Sequence, residues 1–205
     1  MKRRQLRTWI FISAILFFLL LLLPLKNADN LYNSVIRIHV LANSDSETDQ
    51  ALKISVRDSI LAFAREKFAR QTSRDEAREE INRYMTEMEQ IAENTLAAAG
   101  CHLPVKITLG EEYYPTREYE TLALPAGSYL SLRVQIGNAQ GKNWWCILFP
   151  PMCLSSAVEA EDALTEIGMS RENVETVLGQ EPNYRIRFKL LELFQVTRNS
   201  LKELF

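Results

Sequence analysis

The chain has 205 residues, 47% hydrophobic and 24% charged, with 24 basic against 26 acidic side chains and a formal net charge of −2. That length bounds it to one domain plus a short extra element. Five of the basic residues and none of the acids lie in 1–26, which leaves 19 basic against 26 acidic residues beyond, a net of −7; this argues against nucleic acid as a partner, because phosphate binding needs a basic surface, and it suits anionic lipid poorly.

In chain order, the first 26 residues form a separate element. Lys2, Arg3, Arg4 and Arg7 precede an apolar run from Trp9 to Leu25, broken only by Ser13 and Pro24 and closed by Lys26. A basic start, an apolar run and a polar exit describe a secretory signal or an N-terminal membrane anchor. The run falls between the roughly 7–15 residues of a signal core and the roughly 20 of a spanning helix. Cleavage and retention through residues 9–25 therefore both stay open. In either case the basic end stays on the cytoplasmic side and the rest is exported. Residues 27–34 read as a linker, and 35–205 as the exported domain.

Val35 to Leu41 alternates, with Ile36, Ile38 and Val40 on one face and Arg37 and His39 on the other, a strand with one polar face. A polar turn, Ala42 to Asp49, contains a capping arrangement at Ser46 and Asp49 and leads into a helix predicted to about Arg70. Its apolar stripe is Leu52, Val56, Ile60 and Phe63, extended by the Lys67 stem. Ser73 and Glu76 form a capping box for a second helix that ends at Gly100. Val105, Ile107 and Leu109 then alternate as a strand. The stretch from Tyr113 to Ala123 contains Pro115 and reads as edge or irregular strand. Leu130, Leu132, Val134 and Ile136 alternate with Tyr129, Ser131, Arg133 and Gln135, and residues 137–142 read as a hairpin loop into a Trp144–Phe149 strand stopped by Pro150 and Pro151. Helices are expected from Ala157 to Ile167, from Ser170 to Gly179 and after Pro182, where Tyr184 to Phe188 also reads as the start of a strand. The sum is an α+β domain: an antiparallel sheet, made of the N-terminal strand and a four-stranded meander, packed by helices and preceded by the signal or anchor helix.

Chemistry is sparse. An exported body permits disulfides, and Cys146 and Cys153 are the natural pair, with Cys101 left over. Metal binding by that pair lacks further ligands, since the only histidines are His39 and His102. Cys146 with either histidine is the one nucleophile–base set on offer, although a thiol in an apolar strand is inert. Asp45, Glu47 and Asp49 cluster at a helix start, where capping and dipole compensation compete with a cation site or an interface. Trp144 and Trp145 point to opposite faces of their strand, so one is core and the other meets a helix layer, solvent or a partner. No cofactor and no small-molecule substrate is implied.

Several ordered motifs give the chain a resemblance to the stage II sporulation protein R family. They are Ile36 through Ser46 continued by Asp49, Gln50, Leu52, Lys53, Val56, Arg57 and Asp58; Tyr114-Pro115-Thr116-Arg117 with Tyr119; Leu124-Pro125-Ala126-Gly127 with Tyr129; and Arg133-Val134, Ile136-Gly137, then Gly141, Asn143-Trp144-Trp145-Cys146, Leu148-Phe149-Pro150-Pro151 and Cys153. The resemblance runs from about residue 35 to 153. It implies a protein made in the forespore and exported into the space between the two septal membranes. There it activates a membrane-embedded aspartic protease of the mother cell, which removes the pro-sequence of the early mother-cell sigma factor, sigma-E. The polar strand face and the turn after it (Arg37, His39, Asn43, Asp45), with Arg117, Trp144 and Trp145, are the expected contact surface. The competing expectation is an exported cysteine-dependent hydrolase or thiol enzyme using Cys146.

Overall fold

The computed structural model describes residues 5, 9, 11–13, 28–68, 70–71, 73–119, 122–151 and 157–179. The expected signal or anchor and the helix expected after Pro182 lie outside these residues, wholly or in most of their length. Among the described residues no helix is long and apolar enough to cross a membrane.

The elements are α1 (Ala28–Ser34), β1 (Ile36–Leu41), α2 (Glu47–Phe68), α3 (Arg74–Ala98), β2 (Val105–Tyr114), β3 (Arg117–Glu118), β4 (Ala123–Leu124), β5 (Gly127–Ile136), β6 (Asn143–Phe149), α4 (Ala157–Glu166) and α5 (Arg171–Val177). The α+β class stands, but the sheet is mixed and not antiparallel. Its order is β2-β5-β1-β6, with β1 parallel to β5 and antiparallel to β6. β1 is therefore not an added strand beside a meander. It sits between β5 and β6, and residues 137–142 are not a hairpin but a bridge across the end of β1. That bridge spans two strand spacings, roughly 9–10 Å, which six residues cover easily. Alternation fixes which side chains share a face and says nothing about which strands are neighbours; that is why sequence pattern alone leads to the simpler meander. The predicted strand over 113–123 also resolves differently. Its start belongs to the long β2, and β3 pairs with β4 as a separate two-stranded flap.

The α2–α3 pair supplies the crossover that a parallel β1–β5 pairing needs. Ser73 caps α3 by accepting from the Glu76 amide, and Gly100 follows the helix at φ 75°. Both helices lie on the face carrying Ile36, Ile38, Val40, Leu132 and Val134, and with Val56, Ile60, Ile81, Met88 and Leu96 they form the main core. α3 also guards an open edge. Glu89 and Glu93 accept from the amides of Ile107 and Val105, at 2.8 and 3.4 Å, so the first half of β2 offers no free ladder to another chain. Residues 28–34, expected as a linker, are helical as α1 and bury Leu31 and Tyr32 against the opposite face of the sheet.

The bridge over β1 is tied down by the turn that follows that strand. Gly141 donates to the Ala42 carbonyl at 2.9 Å, and Gln140 to the Asn43 carbonyl at 3.2 Å. A Cβ on Gly141 would overlap the Ser44 carbonyl, whereas a Cβ on Gly110 meets nothing. Gly141→Ala is therefore expected to lower the urea midpoint clearly, while Gly110→Ala leaves it unchanged or slightly raised. Equal midpoints for the two variants would show that the bridge does not hold this close approach.

Candidate functional site

The face of the sheet away from α2 and α3 carries a polar and aromatic layer. β1 contributes Arg37 and His39, β5 contributes Tyr129, Ser131 and Arg133, β2 contributes Glu112 and Tyr114, and β6 contributes Trp145. Registers place them side by side: His39 lies between Arg133 and Trp145, and Glu112 lies opposite Tyr129.

Arg37 is 0% exposed and is the largest fully buried side chain. Its guanidinium lies 3.9 Å from the Tyr114 ring centroid and 4.9 Å from that of Tyr129. Its Nη2 donates to the Tyr119 hydroxyl at 2.7 Å, while Nε and Nη1 have no hydrogen-bond partner among the described residues. Burial pushes the phenols of Tyr114, Tyr119 and Tyr129 above their ordinary range, and Arg37 pulls them back only in part. All three stay neutral at physiological pH, so the charge on Arg37 is met by ring faces and one neutral oxygen.

Beside it, His39 Nδ1 and Glu112 Oε1 are 2.8 Å apart. The second Glu112 oxygen accepts from Ser131 Oγ at 2.9 Å, and Ser131 Oγ lies 2.6 Å from the Tyr114 hydroxyl. His39 is buried and stacks with Trp145 at 5.3 Å between centroids, its Nε2 unpartnered among the described residues. Trp145 is half-buried and carries the Arg117 guanidinium 3.9 Å from its ring. Trp144 faces the other way, packed at the edge of the main core with Arg57 at 4.8 Å. The expectation of opposite-facing tryptophans thus holds, and neither is fully enclosed.

Asn43 and Asp45 do other work. Asn43 Oδ1 accepts from the Asn138 amide at 3.0 Å and Asp45 Oδ1 from the Lys142 amide at 2.7 Å, so both hold the bridge across β1. Asn43 Nδ2 and Ser44 Oγ donate to Asp49 Oδ2 at 2.9 and 2.5 Å. Buried Lys53 closes the motif by donating to Gln50 Oε1 at 2.7 Å and the Lys142 carbonyl at 3.0 Å. The acidic turn is a staple, and among the described residues no group of three or more His, Cys, Asp or Glu side chains is placed to hold a metal ion. Cys101 is a free thiol, whereas Cys146 is 6% exposed and disulfide-bonded, so the thiolate required by a Cys146 enzyme is missing. The expected partner Cys153 lies outside the described residues.

Sequence reasoning brought Arg37, His39, Arg117 and Trp145 into one set, and the structure brings them to one layer. It missed Glu112, Tyr114, Ser131 and Tyr119 as their partners. The available signal was the alternation of Tyr129, Ser131 and Arg133, a polar strand face that is nonetheless closed over by α1 and the flap.

A mixed-sheet α+β domain built around a buried arginine–tyrosine layer is the class that fold and site define. Residues 32–159 match the family model for stage II sporulation protein R, a span holding the whole sheet, the flap and the polar layer, and the chain belongs to that family. It is 36% identical over 121 residues to stage II sporulation protein R of Bacillus subtilis (strain 168), a match covering 59% of this chain and 54% of that protein. The chain thus spans about half the length of the curated relative it matches. No solved structure matches it.

Two outcomes are expected. Tyr119→Phe removes the one hydrogen-bond acceptor that Arg37 has among the described residues, and chemical denaturation should show a loss of about 1–3 kcal/mol; no loss would mean the ring faces alone satisfy the charge. Hydrogen bonds from Ser44 and Asn43 hold the Asp49 carboxyl below its usual value of 3.8. A depressed folded value stabilises above the unfolded one and is lost as pH falls through it. The stability difference between wild type and Asp49→Asn should therefore be full at neutral pH and shrink below pH 3.8. A difference that grows on acidification would contradict it.

Proposed function

We propose that this protein is an exported intercompartmental signal of sporulation, which activates a membrane-embedded aspartic protease in the mother-cell membrane and so triggers pro-sigma-E processing. The observation that carries the reading is family membership across the whole sheet and its polar layer. The relative from Bacillus subtilis bears the name of a stage II sporulation protein. The basic and apolar start of the chain supports export, either as a cleaved signal or as an anchor through residues 9–25. The destination is the septal intermembrane space, a compartment in which a Cys146–Cys153 disulfide persists.

A ligand activates a protease only by binding its active state better than its inactive one. We assign the contact to Arg117 and Trp145, which are partly open to solvent, with Arg37 and His39 beneath them as the layer that fixes their geometry. Trp144 on the opposite face is a secondary candidate. Asn43 and Asp45 hold the bridge, and the exposed Asp45 stays on the proposed surface as a further contact.

The test is co-expression in non-sporulating cells with the cognate protease and its pro-sigma substrate, following substrate size on a gel. Processing should depend on this protein and fall sharply for Arg117→Glu at unchanged export and abundance. An exported, folded protein that produces no processing would overturn the signalling role.

A further inference from the structure

We propose that Arg37 and Arg117, on either side of Tyr119 in the β3–β4 flap, form a receptor for a carboxylate presented by an acidic peptide segment of a partner protein. The first ground is a charge without a counter-charge. Arg37 is fully buried, and among the described residues two of its three nitrogens lack partners and it forms no ion pair. Glu112, the acid described in the layer, is already engaged by His39 and Ser131. An enclosed guanidinium in that state is destabilising unless an anion completes it.

The second ground is that the surplus is local and of one sign. Arg117 and Arg133 also have buried Nε atoms without a partner among the described residues. Arg133 stands in register with His39 on the same layer, and Arg117 lies over Trp145. The domain beyond residue 26 is acidic overall, so three arginines gathered at one layer run against its net charge. Guanidinium forks on aromatic faces match carboxylates in shape and hydrogen-bond direction.

The third ground is the nature of the cover. Tyr119 meets Arg37 with a neutral phenol, and both Arg37 and Arg117 lie close enough to favour its charged form. It sits in a flap whose strands are two residues each, Arg117–Glu118 and Ala123–Leu124. A carboxylate that displaces the half-buried Tyr119 hydroxyl replaces a neutral acceptor with a charged one on the same nitrogen, a stronger bond. Arg117 at the rim supplies the first contact and Arg37 the second.

The partner's identity rests on the function proposed above; carboxylate recognition does not, and it is tested on the protein alone. The full chain, purified in a neutral detergent, is titrated calorimetrically with the capped peptide acetyl-Gly-Glu-Glu-Gly-amide and with its Gln-Gln counterpart. Saturable binding of the glutamate peptide is expected, about tenfold weaker for the glutamine peptide and for Arg117→Gln. Arg37→Met should abolish saturation while keeping its urea midpoint at or above wild type, because removing an uncompensated buried charge costs little. A merely structural arginine predicts the reverse, a lowered midpoint. Equal binding of both peptides, no binding of either, or undiminished binding by Arg117→Gln overturns the proposal, the last even if Arg37→Met does not fold. Binding as described without processing in cells would leave the receptor standing and remove the signalling role.

Discussion

Strand β1 is enclosed on four sides. β5 and β6 bond its two edges, α2 and α3 cover Ile36, Ile38 and Val40, and the aromatic layer covers Arg37 and His39. A six-residue strand in that position can be exchanged with solvent only by opening both halves of the domain. The other elements are arranged to make the enclosure possible. The α2–α3 hairpin carries the chain from β1 to β2 at the sheet edge, and β5, antiparallel to β2, returns parallel to β1. The bridge 137–142 carries it over the end of β1 to the far edge, and the turn from Asn43 to Asp49 fastens the bridge. Hydrogen bonds from backbone amides to Asn43 and Asp45 are local and directional, so they set the position of β6, and with it Trp145, relative to His39.

The two faces of β1 are stabilised by different physics. On the helix side, apolar burial dominates, and truncating a residue such as Ile38 should cost about 2–5 kcal/mol. On the other side the interior is polar, and its stability depends on satisfying donors. Tyr129 donates to the Pro125 carbonyl at 2.6 Å and the Tyr114 hydroxyl lies 2.6 Å from Ser131 Oγ, so these two rings turn their faces to Arg37 without leaving a hydroxyl unmet. The layer is therefore well satisfied at its phenols and under-satisfied at its guanidiniums. That asymmetry separates it from an ordinary polar core, in which both members of each pair are met.

Much of this was legible in the sequence, for identifiable reasons. Helices α2 and α3 carry period-3.6 stripes and cap signals at Ser46, Ser73 and Gly100, and local chemistry of that kind fixes local structure. Strand faces were legible from the alternation in β1 and β5. Strand order was not, because nothing in Val35–Leu41 records that its neighbours are the two strands flanking residues 137–142. Burial of Arg37 was likewise hidden. A strand reading Ile-Arg-Ile-His-Val has the pattern of a half-exposed strand, and its second cover is assembled from α1 and the flap, two short elements with weak signals of their own. The expected contact residues were grouped through their motifs, and the structure places them in two settings: Asn43 and Asp45 hold a loop, and Arg37, His39, Arg117 and Trp145 share a layer.

The layer contains a serine, a histidine and a glutamate in contact, and their wiring decides what they can do. In a nucleophile triad the histidine stands between the hydroxyl and the carboxylate, so that it takes the proton from one while the other orients it. Here Glu112 occupies the middle. It receives Ser131 Oγ on one oxygen and His39 Nδ1 on the other, and Ser131 is held further by Tyr114. Among the described residues His39 Nε2 is buried with no partner. The serine therefore meets the carboxylate and not the histidine. What the arrangement does accomplish is alignment: Glu112 fixes the His39 ring, the His39 ring fixes Trp145, and Trp145 carries Arg117 at the rim. Through that chain of contacts, the orientation of a partly exposed arginine is set by a carboxylate three side chains below it.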